Sequence, residues 1–125
     1  MKAIVTGTIL LSTLSISLSA QAGETELTSQ SIENLLKGQS ISGVHYQQKT
    51  VQYFSESGLT LWMKAGDKAP SEGKWKVENN QYCSDFGSGW GCYKVVNDEA
   101  QGIHYFIAKN FRAPFIAQKG FNLSL

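Results

Sequence analysis

The two cysteines are the residues whose type and spacing most directly suggest chemistry. Cys83 and Cys92 flank a glycine-rich loop in the segment YCSDFGSGWGCYKVV, residues 82–96. A catalytic redox pair is normally spaced C-x-x-C, and a zinc site needs more ligands than two cysteines and two distant histidines. Glycines supply the positive φ angles of a hairpin turn, and cross-strand neighbours lie close enough for a disulfide. We therefore predict a structural Cys83–Cys92 disulfide and no metal site.

The loop between the cysteines also carries side chains suited to ligand binding. Trp90 has two interpretations, because its indole either folds back over the core or grips a ligand. Tryptophan is usually mostly buried, so we expect Trp90 to fold back. The candidate binding residues from the sequence are Asp85, Phe86, Trp90 and Trp62.

His45 and His104 are the natural candidates for acid–base chemistry, with Asp85, Glu56 or Glu72 as possible partners. Each histidine precedes a tyrosine in a strand-like run, and neither has a serine or cysteine nucleophile in a recognisable setting nearby. A partly exposed strand histidine is the simpler interpretation. We assign no catalytic residue and do not expect an enzyme.

The N-terminus has the pattern of a secretory signal peptide. Lys2 precedes a long uncharged stretch rich in Ile, Leu, Ser and Thr, which closes on Ala20-Gln21-Ala22. The stretch is shorter than the roughly 20 apolar residues of a membrane-spanning helix. We predict cleavage after Ala22, so that residues 1–22 are the signal peptide and residues 23–125 form a single β-rich domain. The expected location is periplasmic or extracellular, without a membrane anchor after cleavage.

Charge and composition exclude some partners. The chain has 11 basic and 10 acidic side chains, and Lys2 is the only charge in the predicted signal peptide. A neutral domain without a basic run is a poor partner for nucleic acid. No nucleotide or cofactor motif is present, so we expect no cofactor. An isolated cysteine pair fits the oxidising compartment that the signal peptide implies.

One segment, residues 27–38, predicts a helix. Thr28 is suited to cap its N-terminus, while Ile32, Leu35 and Leu36 form one apolar stripe. Gly38 supplies a left-handed stop. A helix this short needs a surface to pack on.

After Gly38 the hydrophobic pattern changes to period two with frequent turn residues. LTLWMKA places Thr60, Trp62 and Lys64 on one face, KWKVE opposes Trp75 and Val77 to charged residues, and a last short strand follows Pro114. The predicted fold is mainly β: a small antiparallel β-barrel or strongly curved sheet with one N-terminal helix packed on it.

Several short patterns together resemble the bacterial family catalogued as domain of unknown function 995. In order they are LLKG at 35–38, Phe54 with Gly58, Gly73 with Trp75 and Val77, and Cys83 with Cys92, Tyr93 and Val95. The likeness covers most of residues 23–125. It implies a small exported bacterial β-rich domain and transfers no catalytic residues.

The function that fits these observations is a binding module for a small molecule, a cell-wall component or another protein of the cell envelope. A small barrel holds at most one small ligand in its mouth. Two alternatives stay open: a cell-envelope enzyme that uses His45 or His104, and a secreted hydrolase inhibitor that presents the Phe86–Trp90 loop.

Overall fold

The structure is a computed structural model that describes residues 23–125, so the signal-peptide prediction for residues 1–22 lies outside the described residues. The described part contains one helix and nine strands. They are β1 (Glu24–Glu26), α1 (Ser29–Leu36), β2 (Ser40–His45), β3 (Gln48–Phe54), β4 (Leu59–Lys64), β5 (Ser71–Glu78), β6 (Gln81–Asp85), β7 (Gly91–Asp98), β8 (Ile103–Ala108) and β9 (Phe111–Gln118).

Strands β2 to β9 form a closed eight-stranded barrel in which each strand pairs antiparallel with the next. The barrel closes where β2 pairs with β9, in the register Ser40↔Gln118 to Gly43↔Phe115. β1 is the ninth strand and pairs antiparallel with Val96–Asp98 of β7, beyond the residues of β7 that pair with β6. The predicted small antiparallel barrel is confirmed, and closure pairs the strand edges that an open sheet would expose.

The period-two pattern selects which side chains face the interior. In β4 the inward face is the one that carries Thr60 and Trp62, and Thr60 is fully buried whereas Leu59 on the other face is 44% exposed. In β5 Trp75 is buried and Lys74 is exposed, as the alternation predicts.

Helix α1 covers the end of the barrel at which β2 begins. The Thr28 hydroxyl accepts a hydrogen bond from the Ser31 backbone N–H at 3.3 Å, which confirms the predicted N-cap. Ile32 and Leu36 are fully buried and join the inward side chains in one hydrophobic core. This end of the barrel is therefore filled.

The last strand and the first strand differ from the prediction. The sequence places the last strand after Pro114, whereas β9 begins at Phe111 and includes that proline. Pro114 immediately precedes Phe115, the first residue of β9 that pairs with β2. Its missing N–H therefore breaks no ladder bond to β2. β1 was not predicted, because Glu24–Glu26 has no apolar alternation to indicate a strand.

Candidate binding site at the open end of the barrel

The end of the barrel opposite the helix contains a cavity of about 370 Å³. Strands β2 and β6 end there and strands β3, β5 and β7 begin there. The cavity is lined by six aromatic side chains and three polar ones: Trp62, Tyr82, Phe86, Tyr93, Phe106 and Phe111, with His45, Gln52 and Ser71. The volume falls within the roughly 300–1,000 Å³ typical of small-molecule sites.

The aromatic wall is a connected set of ring contacts. Tyr82 stacks on Tyr93 with ring centroids 5.9 Å apart. The His45 ring lies 5.9 Å from Trp62 and meets Phe111 edge to face at 5.5 Å. Rings that support one another in this way present fixed flat faces to a ligand.

Gln52 is the buried polar group of the cavity wall, with 4% of its surface exposed. Its Nε2 donates to Thr60 Oγ1 at 2.8 Å and to Tyr82 Oη at 2.9 Å. Thr60 Oγ1 in turn donates to the backbone carbonyl of Tyr53 at 2.8 Å. These bonds hold the amide in one position.

Two titratable groups of the cavity, Tyr82 and His45, are uncharged at neutral pH. Burial raises the pKa of Tyr82 to about 12, an effect that hydrogen bonds with Ser84 and Gln52 partly offset. Burial lowers the pKa of His45 from its ordinary value, so its imidazole is neutral. No lysine, arginine, aspartate or glutamate is among the residues that line the cavity.

The two histidines lie in different places. His45 lines the cavity, while His104 stacks on Phe115 with ring centroids 5.4 Å apart and has a buried Nδ1 without a hydrogen-bond partner. Within residues 23–125, no ion pair joins either histidine to a carboxylate, so the suggested partners Asp85, Glu56 and Glu72 are not beside them. The same residues contain no cluster of three or more His, Cys, Asp or Glu side chains that would hold a metal.

Phe86 reaches the cavity because Gly73 leaves room for it. A Cβ at Gly73 would lie 2.7 Å from Phe86 Cδ1 and 2.7 Å from the Asp85 carbonyl oxygen. Only glycine therefore lets Phe86 lie across the inner face of β5. The G-x-W-x-V pattern of the sequence thus has a local steric cause at its first position.

The segment that follows β6 is held by Asp85. The Asp85 Oδ1 accepts hydrogen bonds from the backbone N–H groups of Gly87 at 2.8 Å and Gly89 at 3.1 Å. These two bonds lower the pKa of the carboxyl group. Cys83 and Cys92 form the predicted disulfide, which joins β6 to β7 at the base of the loop.

Trp90 does not fold back onto the core, so that expectation is wrong. Its side chain is 45% exposed, and the Lys76 ammonium lies 4.3 Å from the ring centroid. Lys76 is on the outer face of β5, because its neighbour Trp75 faces inward. The indole makes a cation–π contact on the outside of the barrel wall. A preference for burial, taken from average statistics, does not account for such contacts.

Of the four candidate binding residues, the structure brings Trp62 and Phe86 together in the cavity. Asp85 supports the adjoining loop, and Trp90 lies outside. Sequence reasoning missed the other lining residues: Gln52, Ser71, Tyr82, Tyr93, Phe106 and Phe111. Gln52, Tyr82 and Phe106 occupy alternate inward positions of their strands, so the period-two pattern combined with the correct closure would have indicated them.

Within residues 23–125, no helix is long and apolar enough to cross a membrane. A comparison of the chain with protein-family models, with curated proteins and with solved structures found no match.

Proposed function

We propose that this protein is an exported binding module that holds one small, uncharged, ring-containing molecule in the open end of its barrel. The observation that carries the proposal is the cavity of about 370 Å³ walled by six aromatic side chains. Protein sites for small molecules are typically concave, mostly apolar and supplied with a few placed polar groups. This cavity has that composition, with Gln52 in its wall.

Electrostatics favour an uncharged ligand. A charged group would lose its hydration on entering the cavity and would meet no ionised side chain in return. Flat rings suit the site, because faces and edges of Trp62, Tyr93 and Phe111 are available for stacked or edge contacts.

Export is supported by the signal-peptide pattern of residues 1–22 and by the disulfide, which fits an oxidising compartment. The proposed location is therefore periplasmic or extracellular. The resemblance to the family catalogued as domain of unknown function 995 agrees with an exported bacterial protein of this size.

The test uses phenylnaphthylamine, a neutral dye whose fluorescence rises in apolar sites. We expect saturable binding to wild type and its loss in Ser71→Trp, which fills the cavity from an exposed position on its lining. The matched control is Glu72→Trp, the next residue of β5, which points to the other face of the barrel wall. Equal binding by both variants, or no saturable binding by wild type, would contradict the proposal.

A second candidate, a protein-binding loop at residues 86–90, is favoured by the exposure of Trp90 on a constrained turn. The loop is fixed by the disulfide at its base and by the two bonds to Asp85. Interface tryptophans often contribute about 2 kcal/mol or more to binding. Inhibition of an enzyme in a panel of cell-wall hydrolases and proteases, abolished by Trp90→Ala, would support this candidate; a panel without inhibition would count against it.

A further inference from the structure

The orientation of the Gln52 side-chain amide follows from the hydrogen bonds of Thr60. The Tyr53 carbonyl oxygen only accepts, so the single hydroxyl hydrogen of Thr60 is committed to that bond. Thr60 Oγ1 is left as an acceptor towards Gln52. The amide atom that faces Thr60 must therefore be the NH₂ group, which identifies the nitrogen and the oxygen without ambiguity.

The second amide hydrogen is also committed. Gln52 Nε2 donates to Tyr82 Oη at 2.9 Å, so the phenol oxygen acts as an acceptor there. Both hydrogens of the NH₂ group are then used within the protein. Gln52 has no donor left to offer a ligand.

Gln52 Oε1 is the remaining polar atom of this amide. Among the described residues it accepts no hydrogen bond, although only 4% of the surface of Gln52 is exposed to solvent. It is also not sealed in the core, since His104 Nδ1 is the one fully enclosed side-chain nitrogen or oxygen without a hydrogen-bond partner in residues 23–125. The space that Gln52 borders is the cavity.

We propose that Gln52 Oε1 is an unshared acceptor for the ligand, so that the cavity selects neutral ring compounds that carry a hydroxyl or N–H donor. This inference rests on the proposed function and names the ligand class for the same site. A molecule that offers only acceptors leaves the buried carbonyl oxygen unpaired. A carboxylate is rejected more strongly, because it is desolvated beside another oxygen and finds no cation on the cavity lining.

Thr60 is the positioning residue in this scheme. It is fully buried and is not part of the cavity lining, so it acts on the ligand only by fixing the amide. Without its acceptor the amide is free to turn and offer its NH₂ group to the cavity. Selectivity between donor and acceptor ligands therefore depends on Thr60. Stacking of the ligand on the aromatic wall does not depend on it.

The test is calorimetric titration of folded wild type with naphthol, methoxynaphthalene and naphthoate, each substituted at the same ring position. We expect the methyl ether to bind about 3- to 10-fold more weakly than naphthol, the usual scale for one neutral hydrogen bond. Naphthoate should bind about 10-fold more weakly again, or more, because of the cost of desolvating its charge. Equal affinity for naphthol and its methyl ether would overturn the inference and leave the proposed function intact, whereas no binding of any probe would overturn both.

Two variants separate orientation from packing. In Thr60→Val, which keeps the side-chain shape, we expect the ratio of naphthol to ether affinity to fall towards one while the phenylnaphthylamine signal persists. The control is Thr25→Val, the same substitution at an exposed position of β1 that is outside the cavity lining, and it should keep the ratio. An unchanged ratio in folded Thr60→Val would also contradict the assignment, and the ligand series on wild type decides the matter if that variant does not fold.

Discussion

Trp75 and Trp90 show how differently the same side chain is used at two positions of this barrel. Trp75 faces the core with 7% of its surface exposed, and its indole N–H donates to the Ser55 carbonyl at 2.8 Å. Trp90 is 45% exposed and rests beside the Lys76 ammonium on the outer wall. Packing dominates the first environment, and a partly solvated cation–π contact dominates the second.

The two tryptophans should therefore respond differently to truncation. Trp75→Ala should lower the free energy of unfolding by about 3–5 kcal/mol, as is usual for a buried large aromatic. Trp90→Ala should lower it by about 1 kcal/mol or less, the scale of an exposed cation–π pair. Urea unfolding of both variants measures the difference. A loss for Trp90→Ala as large as that for Trp75→Ala would mean that the indole packs more tightly than its exposure indicates.

The sequence distinguishes these two residues only in part. The alternation around Trp75 places it inward, because a half-buried strand repeats every second residue and its neighbours Lys74 and Lys76 are charged. Trp90 lies in a glycine-rich loop without a repeating hydrophobic pattern. Its position could be predicted only from the general preference of tryptophan for burial, and that prediction was wrong. Gln52 was missed for a related reason: a lone glutamine in a strand does not indicate whether it faces water or a cavity.

At the scale of elements, the pairing of β5 with β6 depends on the absence of a side chain at Gly73. The segment after β6 continues past Asp85, and Phe86 crosses the position where a Gly73 side chain would stand. The conflict would include the Asp85 carbonyl oxygen, which belongs to the backbone and cannot turn aside.

Gly73→Ala should therefore destabilise the barrel by about 1–3 kcal/mol, the range for overpacking, and should weaken phenylnaphthylamine binding as Phe86 is displaced. Gly91→Ala is the matched control, because the nearest atom to its added Cβ, Tyr93 Oη, is 3.9 Å away. Comparable stability of the two alanine variants in thermal unfolding would show that β6 shifts without cost.

Elements with their own local signals were predicted, and those defined by distant partners were not. Helix α1 carries a cap and an apolar stripe within its own sequence, so its position was clear. β1 is a strand only because β7 offers it a free edge, with pairs such as Glu24↔Asp98. The start of β9 is likewise set by its ladder with β8, which begins at Phe111. This pairing continues through Pro114, although a proline in a sequence usually argues against a strand at that point.

At the scale of the whole molecule, the histidines couple stability to mildly acidic pH. Burial lowers the pKa of both His45 and His104 below the ordinary value of 6.5. The unfolded chain therefore binds more protons than the folded protein as the pH falls past 6.5. Their contribution to stability is complete above that pH and is lost as the pH approaches the lowered folded values.

We accordingly expect the melting temperature of wild type to fall between neutral pH and about pH 5, the range set by an unperturbed histidine. The variant His45→Gln/His104→Gln should show a flatter profile in this range. Below about pH 4 both proteins should lose stability, because hydrogen bonds lower the pKa of Asp67 and Asp85 from 3.8 and protonation then favours the unfolded chain. Parallel profiles for the two proteins above pH 5 would assign the histidines no role.

The seam between β2 and β9 also determines when during folding the cavity comes into existence. Other neighbours in the barrel are consecutive hairpins, which form quickly, whereas this seam joins residues as distant as Ser40 and Gly120, 80 positions apart. His45 of β2 and Phe111 of β9 meet across it on the cavity wall. If closure of the seam is the late step, the transition state has no finished site for a ligand to recognise. A bound ligand then slows unfolding of the barrel and leaves its folding rate unchanged.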